Sequence, residues 1–283
     1  MEPREKMLHA FLESALERHR TYKNKEAGKP LPWSSWEIYQ NYFFCNVFRQ
    51  YDKCSKWIIE KIVPFKRWDL LILYRFISTW NTFMEIEETC KLDDIQGIHD
   101  LLEEKYHTKE KIFSSCFIRN PRIPGGWTQT WRVPFVLIEE LKRDKFDPSD
   151  FSTLKELTEY LKMYPGVGGF MGYEYACDLE YTDMFNPMDK HTWANRGPGA
   201  NRGMSLVFLG HSRKKFPKKA WIEGLERLFF EMQQAFGEEF PEEEITMREV
   251  EHWLCEFQKF VKYMNLMNTG TKCKHRKYYG RGE

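Results

Sequence analysis

The sequence predicts an all-α fold built around a helix-hairpin-helix, with room for one small β-hairpin. Three observations carry that expectation. Apolar residues recur at helical spacing along most of the 283-residue chain. The segment from Leu157 to Asp183 reads LTEYLKMYPGVGGFMGYEYACDLEYTD, in which an amphipathic helix runs into Pro165-Gly166-Val167-Gly168 and a second helix starts at once. Only Phe113 to Ile118 and Thr128 to Val133 have strand-like composition, with Pro121, Pro124, Gly125 and Gly126 between them as turn residues.

Taken in order, Met7, Leu8, Phe11, Leu12, Ala15 and Leu16 mark one face of a first helix, and Lys23 to Pro32 reads as a linker. Ser34 or Ser35 can cap a helix from Trp36 that carries Ile38, Tyr42, Phe43 and Val47. A helix over Lys53 to Ile62 stops before Pro64. Arg67 to Glu85 is apolar nearly all round and predicts one long core helix. Further helices are expected over Asp93 to Lys105, Pro134 to Lys145, Ser152 to Met163, Gly169 to Leu179, Lys219 to Phe236 and Met247 to Asn265. With no clean inter-domain linker, residues 1–32 form an N-terminal helix and linker, packed on a single helical domain over 33–283.

Hydrophobic content of 42% and 16% aromatics support a sizeable core. Forty-three basic against 42 acidic residues leave a formal charge of +1, so nucleic-acid binding needs local asymmetry. The run His211-Ser212-Arg213-Lys214-Lys215-Phe216-Pro217-Lys218-Lys219 and the tail from Lys272 to Arg281 supply it, with Glu238 to Glu244 as an acidic counterweight. Such runs are either solvated faces or DNA contacts. Seven cysteines at irregular spacing argue for reduced thiols. No apolar run reaches the ~18 residues of a membrane helix, and MEPREKMLHA has no signal-peptide core.

In the hairpin, glycine permits positive φ, and Gly166, Val167, Gly168 and Gly169 expose backbone N–H groups beside a helix N-terminus. Orphan donors and the positive dipole end can hold a DNA phosphate without a basic side chain. A plain helix corner with a glycine C-cap fits the same residues. Arg49 and Asp52 lie three apart, at neighbouring helix positions. Arg75, inside an apolar helix, is either paired to an internal carboxylate or aimed at an anionic ligand, and Asn81 lies six residues on. Asp178 follows the hairpin, with Tyr173 and Glu174 about a turn before it, as a polar face or as a carboxylate held near DNA. Gly197-Pro198-Gly199-Ala200-Asn201-Arg202-Gly203 reads as a glycine-rich loop that offers backbone donors and one arginine to a phosphate, or as bare surface. It lacks the GxxxxGK[ST] spacing of a nucleotide P-loop. His252, Cys255, Cys273 and His275 do not have standard zinc spacing, and no metal site is expected.

Five blocks in order resemble a known family: NVFRQYDKCSKWI from Asn46, LLILYRFISTWNTF from Leu70, GGFMGYEYACDLEYT from Gly168, GPGANRG from Gly197 and EHWLCEFQKF from Glu251. They resemble the 5-hydroxymethyl-deoxyuridine DNA kinase helical-domain group, which includes the phage alpha-glutamyl/putrescinyl thymine pyrophosphorylases, better described as amino acid:DNA transferases. Ser78-Thr79-Trp80 departs from the more polar pair expected there. The resemblance implies a fold similar to helix-hairpin-helix DNA glycosylases and a role in thymine hypermodification in the cytoplasm of an infected bacterium. The implied reaction replaces the pyrophosphate of 5-pyrophosphoryloxymethyl-deoxyuridine in DNA by the amine of a free amino acid, glycine being the simplest. A 5-hydroxymethyluracil DNA kinase would supply the substrate.

For this chemistry Arg49, Arg75, Arg202, Gly197 and Gly199 are candidates to hold pyrophosphate. Asn81, Tyr173 and Glu174 join them in substrate binding, and Lys259 or Arg49 could hold the amino acid's carboxylate. Asp178, then Asp52 and Glu256, are candidate bases for the amine. Gly166 to Gly169 with Arg213, Lys214 and Lys215 would contact DNA. Mg2+ is compatible with a pyrophosphate leaving group, though no carboxylate cluster demands it. A base-processing glycosylase-like enzyme and a non-catalytic DNA-binding module are the alternatives.

Overall fold

The computed structural model describes residues 2–113 and 130–269. Twelve α-helices and no strand occur among the described residues. They fall into two compact units, Met1–Arg49 with the chain from Lys190 onward, and Gln50–Asp189. The N-terminal helix thus belongs with the C-terminal helices.

In the first unit, α1 (Glu5–Glu26) runs into the segment expected to be a linker, because KNKE continues a good helix-forming sequence. The short α2 (Glu37–Asn41) ends where Tyr42 turns extended, so Phe43 and Val47 leave the helix they were expected to share. In the second unit lie α3 (Lys53–Lys61), α4 (Trp68–Ile77), α5 (Trp80–Thr89), α6 (Ile95–His107), α7 (Val133–Arg143), α8 (Leu154–Leu161) and α9 (Gly169–Leu179). The first unit resumes with α10 (Pro198–Leu209), α11 (Trp221–Glu239) and α12 (Met247–Asn268).

Three expectations need correction. The long helix over Arg67 to Glu85 is two helices, broken at Ser78, whose φ of 42° is left-handed and stops α4. The Ser78 hydroxyl caps that end by donating to the Arg75 carbonyl. Residues 130–132 form a helical turn leading into α7, not a strand. The rest of the expected β-hairpin, including Pro121, Pro124, Gly125 and Gly126, lies outside the described residues. Finally, GPGANRG is the first half of α10: Gly197 is the N-cap, and Pro198 starts the helix at the position that needs no N–H.

The first unit's core is aromatic. Phe11 of α1 meets Phe257 of α12 edge to face at 5.5 Å, and the Trp253 indole donates to the Phe11 carbonyl at 3.1 Å. The tightest packing joins α10 to α12. A Cβ on Gly203 would fall inside the Leu254 backbone, and one on Gly199 would strike the Cys255 sulfur. In the second unit, α4 is buried from Asp69 to Ile77. The α8–α9 pair is a hairpin whose turn needs glycine at Gly166, with φ of 83°. Gly172 lets the helices close, a Cβ there lying 3.2 Å from the Thr158 carbonyl oxygen.

Replacing Gly203 by Val is expected to destabilise the protein by about 1–3 kcal/mol, since backbone rather than a flexible side chain occupies the space. Urea unfolding monitored by circular dichroism measures it; an unchanged midpoint would remove the close-packing argument.

Candidate functional site

The two units each hold part of the expected residue set. In the first, the N-terminal half of α10 lies on α12, which a capping box between Thr246 and Glu249 fixes at its start. Glu251 and Cys255, one turn apart on α12, face the start of α10. Glu251 is only 9% exposed, and its Oε1 lies 2.7 Å from where a Cβ on Gly197 would stand. Burial pushes this carboxyl up to about 8, and the Arg49 charge and the Gly197 backbone N–H pull back against that rise. Burial likewise pushes the Cys255 thiol up to about 12; Glu256 and Glu251 add to the shift, and Lys259 and Arg202 oppose it.

Arg49 is buried in a single 3-10 turn, Arg49–Tyr51, rather than on a helix shared with Asp52. Asp52 is the N-cap residue of α3 in the second unit. Glu256 accepts from the Lys259 ammonium at 2.7 Å and from the Cys45 backbone N–H at 3.1 Å. Its expected role as a base therefore meets a carboxylate already occupied by a cation. Burial works against the Lys259 charge, but Glu256 more than compensates and holds Lys259 above the ordinary lysine range. Arg202 is exposed on α10.

The first unit thus gathers Arg49, Gly197, Gly199, Arg202, Glu256 and Lys259. The glycines do not form the expected phosphate-holding loop. They are positions where α12 comes so close that a side chain has no room. Arg213, Lys214 and Lys215 are exposed, and Phe216 anchors their segment: its ring is buried against Phe208, and its carbonyl accepts from Arg196 at 2.6 Å.

The second unit resolves the two readings of Arg75. Its guanidinium makes a two-pronged ion pair with Asp178 of α9, with Nη2 to Oδ1 at 2.7 Å, and also donates to the Ser55 hydroxyl at 3.0 Å. Arg75 is 2% exposed and Asp178 fully buried. Burial disfavours the Arg75 charge, and the adjoining Asp178 outweighs it and raises Arg75 above its ordinary value. Arg75 therefore faces an internal carboxylate and not a ligand, and Asp178 is its counter-ion. The pairing accounts for the burial of both groups without a ligand. Tyr173 and Glu174 are buried on α9, whereas Asn81 is exposed on α5, so these three do not share one surface. At the hairpin, Val167 is buried, Gly168 is exposed with open space where a Cβ would stand, and Gly169 begins α9.

Sequence reasoning missed Glu251. It lies within EHWLCEFQKF, but one acid among many in a helix carries no signal until its burial and its neighbour Gly197 are known. His252 and Cys255 sit on α12, while Cys273 and His275 lie outside the described residues.

The family described as "5-hmdU DNA kinase, helical domain" matches residues 5–268. The chain belongs to this family. One relative is the 5-hmdU DNA kinase of Bacillus phage SP10, 25% identical over 279 residues, which cover 86% of this chain and 42% of the relative. The chain thus spans less than half the length of that relative. No solved structure matches it. Among the described residues, no helix is long and apolar enough to cross a membrane.

Two outcomes follow for this member of the 5-hmdU DNA kinase helical-domain family. Asp178→Asn leaves Arg75 buried beside a neutral partner and should cost about 3–5 kcal/mol in urea unfolding, whereas Arg75→Met with Asp178→Leu should cost less than either single change. Glu251 binds its proton more tightly folded, near 8, than unfolded, near 4.5. Stability from this group is therefore complete below the lower value and lost as pH rises through the upper one. Glu251→Gln should abolish that part of the decline in melting temperature; an identical slope in both proteins would show that Glu251 ionises normally.

Proposed function

We propose that the chain acts in phage thymine hypermodification as an amino acid:DNA transferase. It carries an amino acid, through its amine, onto the 5-methylene of 5-pyrophosphoryloxymethyl-deoxyuridine in DNA and releases pyrophosphate. Membership of the family supports a role on phage DNA containing 5-hydroxymethyluracil. The observation that carries the finer reading is the grouping of Arg49, Arg202 and Lys259 around the start of α10 and its α12 neighbour.

Displacement of pyrophosphate concentrates negative charge on the departing oxygen, and cations fixed in advance lower that barrier. Arg49 and Arg202 take this role, helped by the positive end of α10. Lys259 meets the amino acid's carboxylate, sharing its ammonium with Glu256. Pyrimidine access follows glycosylase-like base extrusion. The exposed Gly168 turn at the start of α9 and the basic residues Arg213, Lys214 and Lys215 hold DNA backbone. The reacting DNA comes from a 5-hydroxymethyluracil DNA kinase acting first, and the protein works in the cytoplasm of the infected host.

The relative's name favours a second reading, in which the chain contributes to phosphorylation of 5-hydroxymethyluracil in DNA. The sequence carries no GxxxxGK[ST] run to hold a nucleotide's phosphates, which ranks this reading second.

The deciding experiment offers the protein two DNAs in parallel: one with 5-pyrophosphoryloxymethyluracil plus an amino-acid mixture, the other with 5-hydroxymethyluracil plus ATP and Mg2+. Digestion to nucleosides and mass spectrometry should show one amino-acid mass added in the first arm, with pyrophosphate released. A phosphorylated nucleoside in the second arm alone would replace the transferase by the kinase reading. Arg202→Met, at an exposed position, should lower kcat/KM for pyrophosphorylated DNA by about 10²-fold or more with an unchanged melting temperature; an undiminished kcat/KM would take Arg202 off the pyrophosphate.

A further inference from the structure

The amine of an amino acid is protonated near neutral pH and cannot attack until a proton leaves. The first unit contains five carboxyl groups that are largely buried. Glu17 accepts from Ser34 and pairs with Arg20. Glu243 pairs with Lys23. Glu249 holds Thr246 and Arg248, and Glu256 holds Lys259. Glu251 differs from these four. Among the described residues it has no salt bridge, and its carboxyl faces the Gly197 backbone at the start of α10.

We propose that Glu251 is the proton acceptor for the attacking amine, at the boundary between α12 and the start of α10. The proposal rests on the transferase reading above. Its geometry is independent of it: a nine-tenths buried carboxyl beside a helix N-terminus, with Arg49 from the 3-10 turn as the cation acting on it, and Arg202 from α10 and Lys259 from α12 acting on its neighbour Cys255 one turn along. The helix end and Arg49 offset part of the cost of holding a carboxylate there. Burial makes that carboxylate a stronger base than an exposed one, near 8. The position also explains Gly197: any side chain there would meet Oε1.

In the step, the Glu251 carboxylate takes one proton from the amino acid's ammonium group. The freed nitrogen lone pair forms the N–C bond to the 5-methylene, and the C–O bond to pyrophosphate breaks with its electron pair leaving on oxygen. The secondary ammonium so formed loses its second proton to solvent, and the Glu251 proton follows to reset the site. No oxidant or reductant is involved.

The test measures single-turnover adduct formation on 5-pyrophosphoryloxymethyluracil DNA with two nucleophiles, glycine and aminooxyacetate, whose amine is uncharged at neutral pH. Glu251→Gln should slow the glycine reaction by about 10²–10⁴-fold and the aminooxyacetate reaction far less. Glu251→Asp, which keeps the carboxyl, should retain more of the glycine rate near neutral pH than the Gln protein does, and the gap should narrow as rising pH deprotonates glycine without help. Equal slowing with both nucleophiles in a Gln protein whose melting curve remains cooperative would make Glu251 structural and overturn the proposal, as would undiminished rates. If the Gln protein does not fold, a wild-type or Asp glycine rate that falls with rising pH overturns it instead, since that marks a proton donor. A wild-type protein that forms no adduct with either nucleophile fails the transferase reading itself, and is thereby told apart from a failure of Glu251 alone.

Discussion

The close approach of α10 and α12 is the constraint on which the candidate site depends. Gly197, Gly199 and Gly203 fall on the side of α10 that meets α12, and each removes a side chain that would otherwise hold the helices apart. The close contact buries the groups that face it, and burial changes their chemistry. Glu251 and Cys255 are both pushed toward their neutral forms by the same burial. A wider seam would hydrate both groups and leave an ordinary glutamate and an ordinary thiol. The glycines therefore act on the site through packing, with no direct contact to a ligand required.

The second unit shows the opposite treatment of buried charge. Arg75 and Asp178 pair with each other in two hydrogen bonds, and Ser55 takes a further guanidinium N–H. A buried charge needs a partner or is driven to its neutral form, an acid by keeping its proton and a base by losing it. Arg75 has a partner, whereas Glu251 is biased toward its protonated form. Paired ions lock α4 to α9 and so support the hairpin that α9 completes. An unpaired acid remains able to exchange a proton near neutral pH, and that ability is what an amine nucleophile requires.

The sequence made the helical class and several helices legible because those features are local. Gly169–Leu179 has the bounds its pattern predicts, since Gly168 and the apolar spacing mark its start and course. The break at Ser78 was hidden because apolar residues continue on both sides, and hydrophobicity does not register a left-handed residue. GPGANRG read as a loop because its glycines score as helix breakers; tertiary contact with α12 overrides that propensity. Arg75 was legible as a residue requiring explanation, and its two readings were the right pair to separate. Asp178 is 103 positions away in sequence, a pairing that no periodicity reveals. Glu251 stayed hidden for a related reason: what distinguishes it from the other buried acids of its unit is that it has no salt bridge among the described residues, and that is a property of three dimensions.

Glu251 also shows how function and stability compete within this fold. A glutamine would fill the same space without the cost of ionisation, and a hydrophobic residue would pack against Gly197 without any polar demand. A carboxyl at this seam is the less stable choice wherever the pH lies above the ordinary carboxylate range. Its cost is tolerable because the surrounding elements are rigid on their own account: the Thr246–Glu249 capping box starts α12, the Trp253 indole ties it to α1, and the glycines seat it on α10. Each of these contacts lies outside the Glu251 carboxyl. The loss of stability that accompanies ionisation of Glu251 is thus set against contacts that do not pass through its carboxyl.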